Sequence, residues 1–229
     1  MTTMWAKQWS AGRGLRMGAL ALAVAGALVA CGGSGSDDAG QPLELTILHI
    51  NDHHSTLESK SKTLKLSAGG ASAVDVAVDA AGFPRVTAAI SELAAQSTNV
   101  LKLHAGDALT GTLYFNRAGA NGEADAALMN TVCFDAFTLG NHEFDKGDSG
   151  LKGFIDLLRK GTCKTPVLSA NVQFGANSAL NASRAPGYVS PSTVVERDGQ
   201  KIGIVGLTIA QKTQASSSPD AGTTFEDET

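Results

Sequence analysis

"TLGNHEFDKG", Thr138 to Gly147, sets an amide, an imidazole and two carboxylates directly behind the short apolar run Ala136 to Leu139. Such a polar cluster does not stabilise a core, because buried polar groups cost free energy unless each is paired. Two upstream stretches have the same construction. Leu43 to Ile50, "LELTILHI", reads as a buried strand that stops at "NDHH", and "NVLKLHAGD" reads as a second that stops at Gly106 and Asp107. Asp52 and His54, Asp107, and Asn141 and His142 therefore each fall just past the carboxyl end of an expected strand.

Between these strands the hydrophobic spacing turns helical. Arg85 to Gln96 places Val86, Ile90 and Leu93 on one face, Ala124 to Val132 is helical in composition, and Gly150 to Lys160 aligns Leu151, Phe154, Leu157 and Leu158. "TPVLSANV" and "KIGIVGLT" read as further strands, and the polar, Gly/Ala-rich stretch from Ser55 to Gly82 as an irregular excursion or lid. Strands alternating with helices indicate an α/β fold with a largely parallel or mixed sheet. Ligands in such sheets bind outside the carboxyl ends of the strands. Residues about 35 to 55 positions apart are thus expected on one rim.

The donor set is mixed: carboxylates from Asp52 and Asp107, imidazoles from His54 and His142, an amide oxygen from Asn141. Oxygen and nitrogen donors without thiolate suit divalent ions of the zinc, manganese or iron type. Gly106 and Gly140 allow sharp turns and close approach of the backbone. A carboxylate shared by two such ions suits in-line phosphoryl displacement by an activated water.

The chain has 229 residues, 43% hydrophobic and 17% charged, as expected of one ordinary domain. Its beginning reads differently. Lys7, Arg13 and Arg16 precede an uncharged stretch of fourteen residues, Met17 to Ala30. That is shorter than the roughly 20 residues a membrane-spanning helix needs, and it suits a secretory signal over residues 1–30. "LVAC", Leu28 to Cys31, resembles a bacterial lipobox, which implies cleavage before a lipid-modified Cys31; the alternative is ordinary cleavage near Ala30. Residues 31–42 form a Gly/Ser-rich tether, and residues 43–229 the folded part. Residues 1–30 hold three of the 18 basic side chains and none of the 22 acidic ones, leaving a formal charge of −7. No basic patch argues for a nucleic-acid polymer as partner or for electrostatic docking on anionic lipid, so membrane contact is expected only through the lipid. An exported chain can pair Cys133 with Cys163; two buried thiols are the alternative.

"ILHINDHH", "LKLHAGDALTGTLYF" and "DAFTLGNHEFDKG" resemble the first three motifs of calcineurin-like metallophosphoesterases. More narrowly, they resemble the secreted 5′-nucleotidase, UDP-sugar hydrolase and 2′,3′-cyclic-nucleotide phosphodiesterase family. The resemblance runs from Leu43 through "IGIVGLT". It implies a layered α-β-β-α sandwich of mixed sheets and a site for two divalent ions. Asp52 and His54 would bind the first ion, Asp107 would bridge both, and Asn141 would bind the second. His142 would stabilise the transferring phosphoryl group, oriented by Asp145. Read without the resemblance, Asp145 is equally an acidic residue at a helix N-terminus, stabilised by the dipole. His53 and His104 read as local packing or surface histidines. Asn171 also follows a strand and carries no assigned role.

The resemblance further implies later histidine ligands and a C-terminal domain that holds the nucleoside base, and no histidine follows His142. The expectation is the N-terminal portion of an exported, lipid-anchored phosphohydrolase that faces the periplasm or cell surface and acts on nucleotides. Taken alone, that portion is expected to be poorly stable and essentially inactive, with later strands of its sandwich missing. Two other readings stand beside it: a cyclic phosphodiesterase or UDP-sugar hydrolase, and a non-catalytic lipid-anchored binding lipoprotein.

Overall fold

The computed structural model describes residues 42–67, 70, 72–119 and 122–229. The expected signal sequence, Cys31 and nearly all of the expected tether lie outside the described residues. Among the described residues no helix is long and apolar enough to cross a membrane.

In chain order the elements are strand β1 (Thr46–Ile50), β2 (Ser59–Leu66), β3 (Val74–Ala81), helix α1 (Phe83–Ala94), β4 (Val100–His104), α2 (Leu113–Arg117), α3 (Glu123–Val132) and β5 (Ala136–Thr138). A 3-10 turn, His142–Phe144, leads into α4 (Gly147–Lys160). There follow β6 (Val167–Leu168), β7 (Val172–Gln173), β8 (Ser192–Arg197), β9 (Gln200–Val205), α5 (Ala210–Ser216) and β10 (Thr224–Phe225).

Four strands form one parallel sheet in the order β1-β4-β5-β6. Among the described residues, antiparallel pairing is confined to three two-stranded sheets, β2-β3, β8-β9 and β7-β10. The four parallel strands run the same way, so their carboxyl ends share one rim, as the sequence pattern requires. Helix α1 contacts β1 and α3, and α3 contacts α4. Helix α4 buries Leu151, Phe154, Ile155 and Leu158, a stripe at helical spacing that meets Phe137 of β5 through Phe154. The core has Phe83, Phe137, Phe144, Phe154 and Met129 among its largest fully buried side chains.

Two expectations need correction. The stretch from Ser55 to Gly82 is not irregular: β2 and β3 form a hairpin with eight paired positions, from Ser59↔Ala81 to Leu66↔Val74. Its alternation, "VDVAVDA", has a strand period, but every residue of β2 is exposed, so no hydrophobic run marks it. "TPVLSANV" is likewise two strands. β6 joins the parallel sheet while β7 pairs with β10, because Asn171 interrupts them. Its amide nitrogen donates to the carbonyls of Thr208 and Glu226, at 2.8 and 2.9 Å. Asn171 thus holds a turn.

Cys133, at the end of α3, is bonded to Cys163 beyond α4, with the Cα atoms 5.0 Å apart. The bridge closes a loop of 30 residues. A cross-link of that span stabilises by about 3 kcal/mol, chiefly by restricting the unfolded chain. The Cys133→Ser variant is therefore expected to lose about 3 kcal/mol of unfolding free energy in urea titration. Loss of under 1 kcal/mol would show that the bridge constrains little.

Candidate metal centre

The site grows from the ends of β1 and β4. Ile50 and His104 are the last register pair of these strands. Beyond them the two loops stay zipped: Asp52 N–H donates to the Gly106 carbonyl at 3.0 Å, His54 N–H to Asp107 at 3.1 Å and Ser55 N–H to Ala108 at 2.9 Å. Asp52, His54 and Asp107 all hold left-handed backbone, with φ of 52°, 45° and 54°. Non-glycine residues adopt that region at a cost and persist there where surrounding structure over-determines them, commonly at ligand sites. Space restricts the two glycines as well. A Cβ on Gly106 would lie 2.6 Å from Gly140 N, and one on Gly140 would lie 2.6 Å from Asp107 N.

Glu143 ties the Asp107 loop to the loop after β5. Its Oε2 accepts from Asp107 N–H at 2.9 Å and Gly140 N–H at 2.6 Å; its Oε1 accepts from Ala108 N–H at 2.8 Å and Leu109 N–H at 3.4 Å. Burial, and then the nearby charge of Asp107, push its carboxyl up to about 7, against the pull of the backbone donors. The sequence carries no signal for the role of Glu143. Its acceptors meet main-chain donors, which no side-chain pattern encodes.

The donors converge. One ligand atom each from His54, Asp107 and His142 lies within 4.8 Å of the others. His54 Nε2 is 3.6 Å from Asp52 Oδ1 and 4.0 Å from Asp107 Oδ2. Two donors that each sit about 2.0–2.2 Å from one ion are roughly 3–4 Å apart, so these spacings fit a shared divalent cation. The carboxylates are hard donors and the imidazole a borderline one, consistent with zinc, manganese or iron. Asn141 is buried beside this group, and its Nδ2 donates to Ser217 Oγ at 3.3 Å, a bond that does not use Oδ1.

His142 meets the cluster from the other side. Its backbone N–H donates to Asp107 Oδ1 at 2.9 Å, and its ring packs edge-on to that of His54 at 4.8 Å. The 3-10 turn brings Asp145 back so that His142 Nδ1 and Asp145 Oδ2 are 2.7 Å apart. Partial burial pulls the His142 pKa down, but the hydrogen bond to Asp145 and the charges of Asp145, Asp107 and Glu143 outweigh it and raise the value. Nδ1–H is thereby committed to Asp145, leaving Nε2 for the cluster.

His53 and His104 are buried, not on the surface. His104 is pushed well below its ordinary pKa, first by burial and then by the adjacent His53. A histidine kept neutral in the fold stabilises fully above the unfolded pKa of about 6.5, and that contribution is lost as pH falls below it, because only the unfolded chain takes up the proton. The slope approaches 1.4 kcal/mol per pH unit for one proton. Glu143 works in the opposite sense, since its folded value is raised. The readout is therefore the difference between wild type and His104→Gln, both of which keep Glu143. The stability advantage of wild type over the variant is expected to shrink between pH 6.5 and 5, measured by urea unfolding. A constant difference would contradict this.

Residues 45–192 match the calcineurin-like phosphoesterase family. The chain is 47% identical over 192 residues to a probable 5′-nucleotidase of Treponema pallidum, covering 84% of this chain and 30% of that protein. It is 45% identical over 190 residues to an NAD 5′-nucleotidase of Haemophilus influenzae, covering 83% and 29%. The solved structure of the Haemophilus influenzae NAD nucleotidase superposes with a TM-score of 0.69 at 45% identity, over 80% of this chain and 30% of that one. A 5′-nucleotidase precursor from Thermus thermophilus gives 0.63 at 35% identity, over 80% and 32%. The chain thus spans about 30% of the length of these relatives. With three motif loops gathered on the rim of a parallel sheet, and with that match over most of the folded part, the chain belongs to the calcineurin-like phosphoesterase family.

Proposed function

We propose that this chain carries part of the active site of a metal-dependent phosphoric ester hydrolase of the 5′-nucleotidase type, acting on nucleotides. The supporting observation is the spacing of Asp52, His54 and Asp107, which fits cation binding, with the His142–Asp145 pair beside it. The relatives named above as nucleotidases support the substrate class.

In this reading Asp52, His54, Asp107 and Asn141 are the residues that would hold two divalent ions. When bound, such ions supply Lewis-acid polarisation of phosphoryl oxygens and activation of a water near neutral pH. The remaining work is the chain's own. Asp145 holds the Nδ1 proton of His142, fixing the tautomer and favouring the cation. His142 then presents Nε2–H to a phosphoryl oxygen and offsets the charge that develops there. Glu143 keeps Asp107 and Gly140 in register without touching substrate.

Residues 1–30 as an export signal, lipid at Cys31 and the tether to residue 42 belong to the same proposal. The Thermus thermophilus relative is described as a precursor, in keeping with export. Asp52, His54, Asp107 and Asn141 supply fewer donors than two ions of four to six ligands require. The 229 residues assayed alone are therefore expected to turn over slowly. The test is phosphate release from AMP, with manganese or zinc, by a longer chain that continues past Thr229 into a second domain, beside the 229-residue chain. Hydrolysis of AMP by the longer chain, lost in its His142→Ala variant, supports the proposal. AMP left intact while UDP-sugar or 2′,3′-cyclic AMP is cleaved would move the substrate class, and inertness to all three would overturn the hydrolase reading.

A further inference from the structure

Beneath the ion-binding loops lies a buried polar chain that the proposed chemistry does not use. Gly106 N–H donates to His104 Nδ1 at 3.2 Å. His104 Nε2 and His53 Nδ1 are 2.9 Å apart, and His53 Nε2 and Asp125 Oδ1 are 3.1 Å apart. Ser55 Oγ–H donates to the other carboxylate oxygen, Oδ2, at 3.1 Å. The directions follow from the two ends. Gly106 can only donate, so His104 accepts at Nδ1 and carries its proton on Nε2. His53 therefore accepts at Nδ1 and donates from Nε2–H to the carboxylate. Every member has one consistent role, which is the condition under which a buried polar network rigidifies rather than destabilises.

Its place in the fold gives the network its meaning. His53 sits between Asp52 and His54. Ser55 follows His54. Gly106 precedes Asp107. Asp125 is on a different element, the first turn of α3, where the helix dipole favours a carboxylate. It has no exposed surface, and His53 and His104 are 5% and 1% exposed, packed edge-on against Phe83 and against Phe134 and Phe137. One rigid helix thus grips both loops whose left-handed residues carry the ion donors.

We propose that Asp125, acting through His53, His104 and Ser55, is a positioning residue of the metal centre: it fixes the backbone on either side of Asp52, His54 and Asp107 without contacting an ion. The inference rests on the metal-centre reading above. Partners one layer behind metal ligands commonly carry 10- to 100-fold of metal affinity. Asp125 differs from the usual case, in which the partner bonds the ligand itself, since its bonds run to the residues between and beside the ligands.

The test is Mn²⁺ binding to the full 229-residue chain, followed by the paramagnetic resonance of free Mn²⁺, with thermal unfolding of the metal-free protein alongside. Asp125→Ala leaves His53 Nε2–H without its acceptor and is expected to weaken Mn²⁺ binding roughly 10- to 100-fold. Asp125→Asn keeps an acceptor for His53 and a polar partner for Ser55, and is expected to bind within about threefold of wild type. The control is Asp148→Ala. Asp148 is equally buried and accepts from Thr223 Oγ1 at 2.6 Å and from Ser178, and neither partner lies in the Asp52 or Asp107 loop. Its loss is expected to lower the unfolding temperature and leave Mn²⁺ affinity unchanged. Where Asp125→Ala does not fold, His53→Phe, which fills the same space beside Phe83, is read by the same criterion. A folded Asp125→Ala or His53→Phe that binds Mn²⁺ as wild type does would overturn the inference. So would an Asp148→Ala chain weakened to the same degree, which would mark general loosening. Wild type that binds no Mn²⁺ sinks the metal-centre reading itself, a separate outcome.

Discussion

Asp107→Asn is expected to bind Mn²⁺ roughly 100- to 1000-fold more weakly than wild type, beyond the 10- to 100-fold of groups one layer out. The same variant should unfold no more easily than wild type in the metal-free state. The two expectations have one cause. Asp107 sits within 4.0 Å of His54 Nε2, accepts the His142 backbone N–H, and its charge helps raise the carboxyl of Glu143. Asparagine keeps the shape, still accepts from His142 through Oδ1, and tolerates the left-handed φ of 54° better than most residues. It removes the negative charge, so the repulsion felt by Glu143 falls while the donor to the ion weakens. Calorimetric Mn²⁺ titration together with thermal unfolding reads both. A variant that melts well below wild type would show Asp107 to be structural first, and one that binds Mn²⁺ unchanged would remove it from the donor set.

Glu143→Gln should cost about 4 kcal/mol of unfolding free energy, although it removes only a charge and one acceptor atom. Each orientation of the glutamine amide turns its NH₂ toward two backbone N–H groups, either those of Asp107 and Gly140 or those of Ala108 and Leu109. Two buried donors then lose their acceptor, at about 1–3 kcal/mol each. For a domain of this size the melting temperature should fall by roughly 10 °C. The measurement belongs at pH 8, above the value of about 7 to which the Glu143 carboxyl is pushed, so that wild type carries the charge. A loss below 1 kcal/mol would mean that the carboxylate is not what holds the loops together.

Much of the fold was legible because the parallel strands are short apolar runs that end in polar residues. "LTILHI", "VLKLH" and "DAFT" correspond to β1, β4 and β5, and the rule that ligands gather at their carboxyl ends leads to one rim for Asp52, His54, Asp107, Asn141 and His142. Helix α4 was legible from its stripe of buried side chains; α1 begins at Phe83, two residues earlier than its spacing suggested, because Pro84 is accommodated in the first turn. The β2-β3 hairpin was not legible. A strand with no buried face carries no burial signal, and its alternation is of small and polar residues.

Within the site, the residues proposed to hold an ion are polar outliers in apolar surroundings, and sequence singles them out. Those that hold the ligands do not stand out. Glu143 was hidden because its partners are main-chain groups. Asp125 was hidden because its role requires knowing that α3 passes under the two loops. In the sequence His53 reads as a packing or surface histidine. It is packed, and its two nitrogens are both spent on hydrogen bonds. Long-range polar pairing of this kind leaves no periodic trace in a chain.

The most direct measurement is a crystal of this chain grown with Mn²⁺, with data collected at the manganese absorption edge. An anomalous peak about 2.0–2.3 Å from donor atoms of Asp52, His54 and Asp107 is the predicted result. A peak that avoids these three residues, or loops that leave Asp52 and Asp107 on opposite sides of the sheet, would contradict the account.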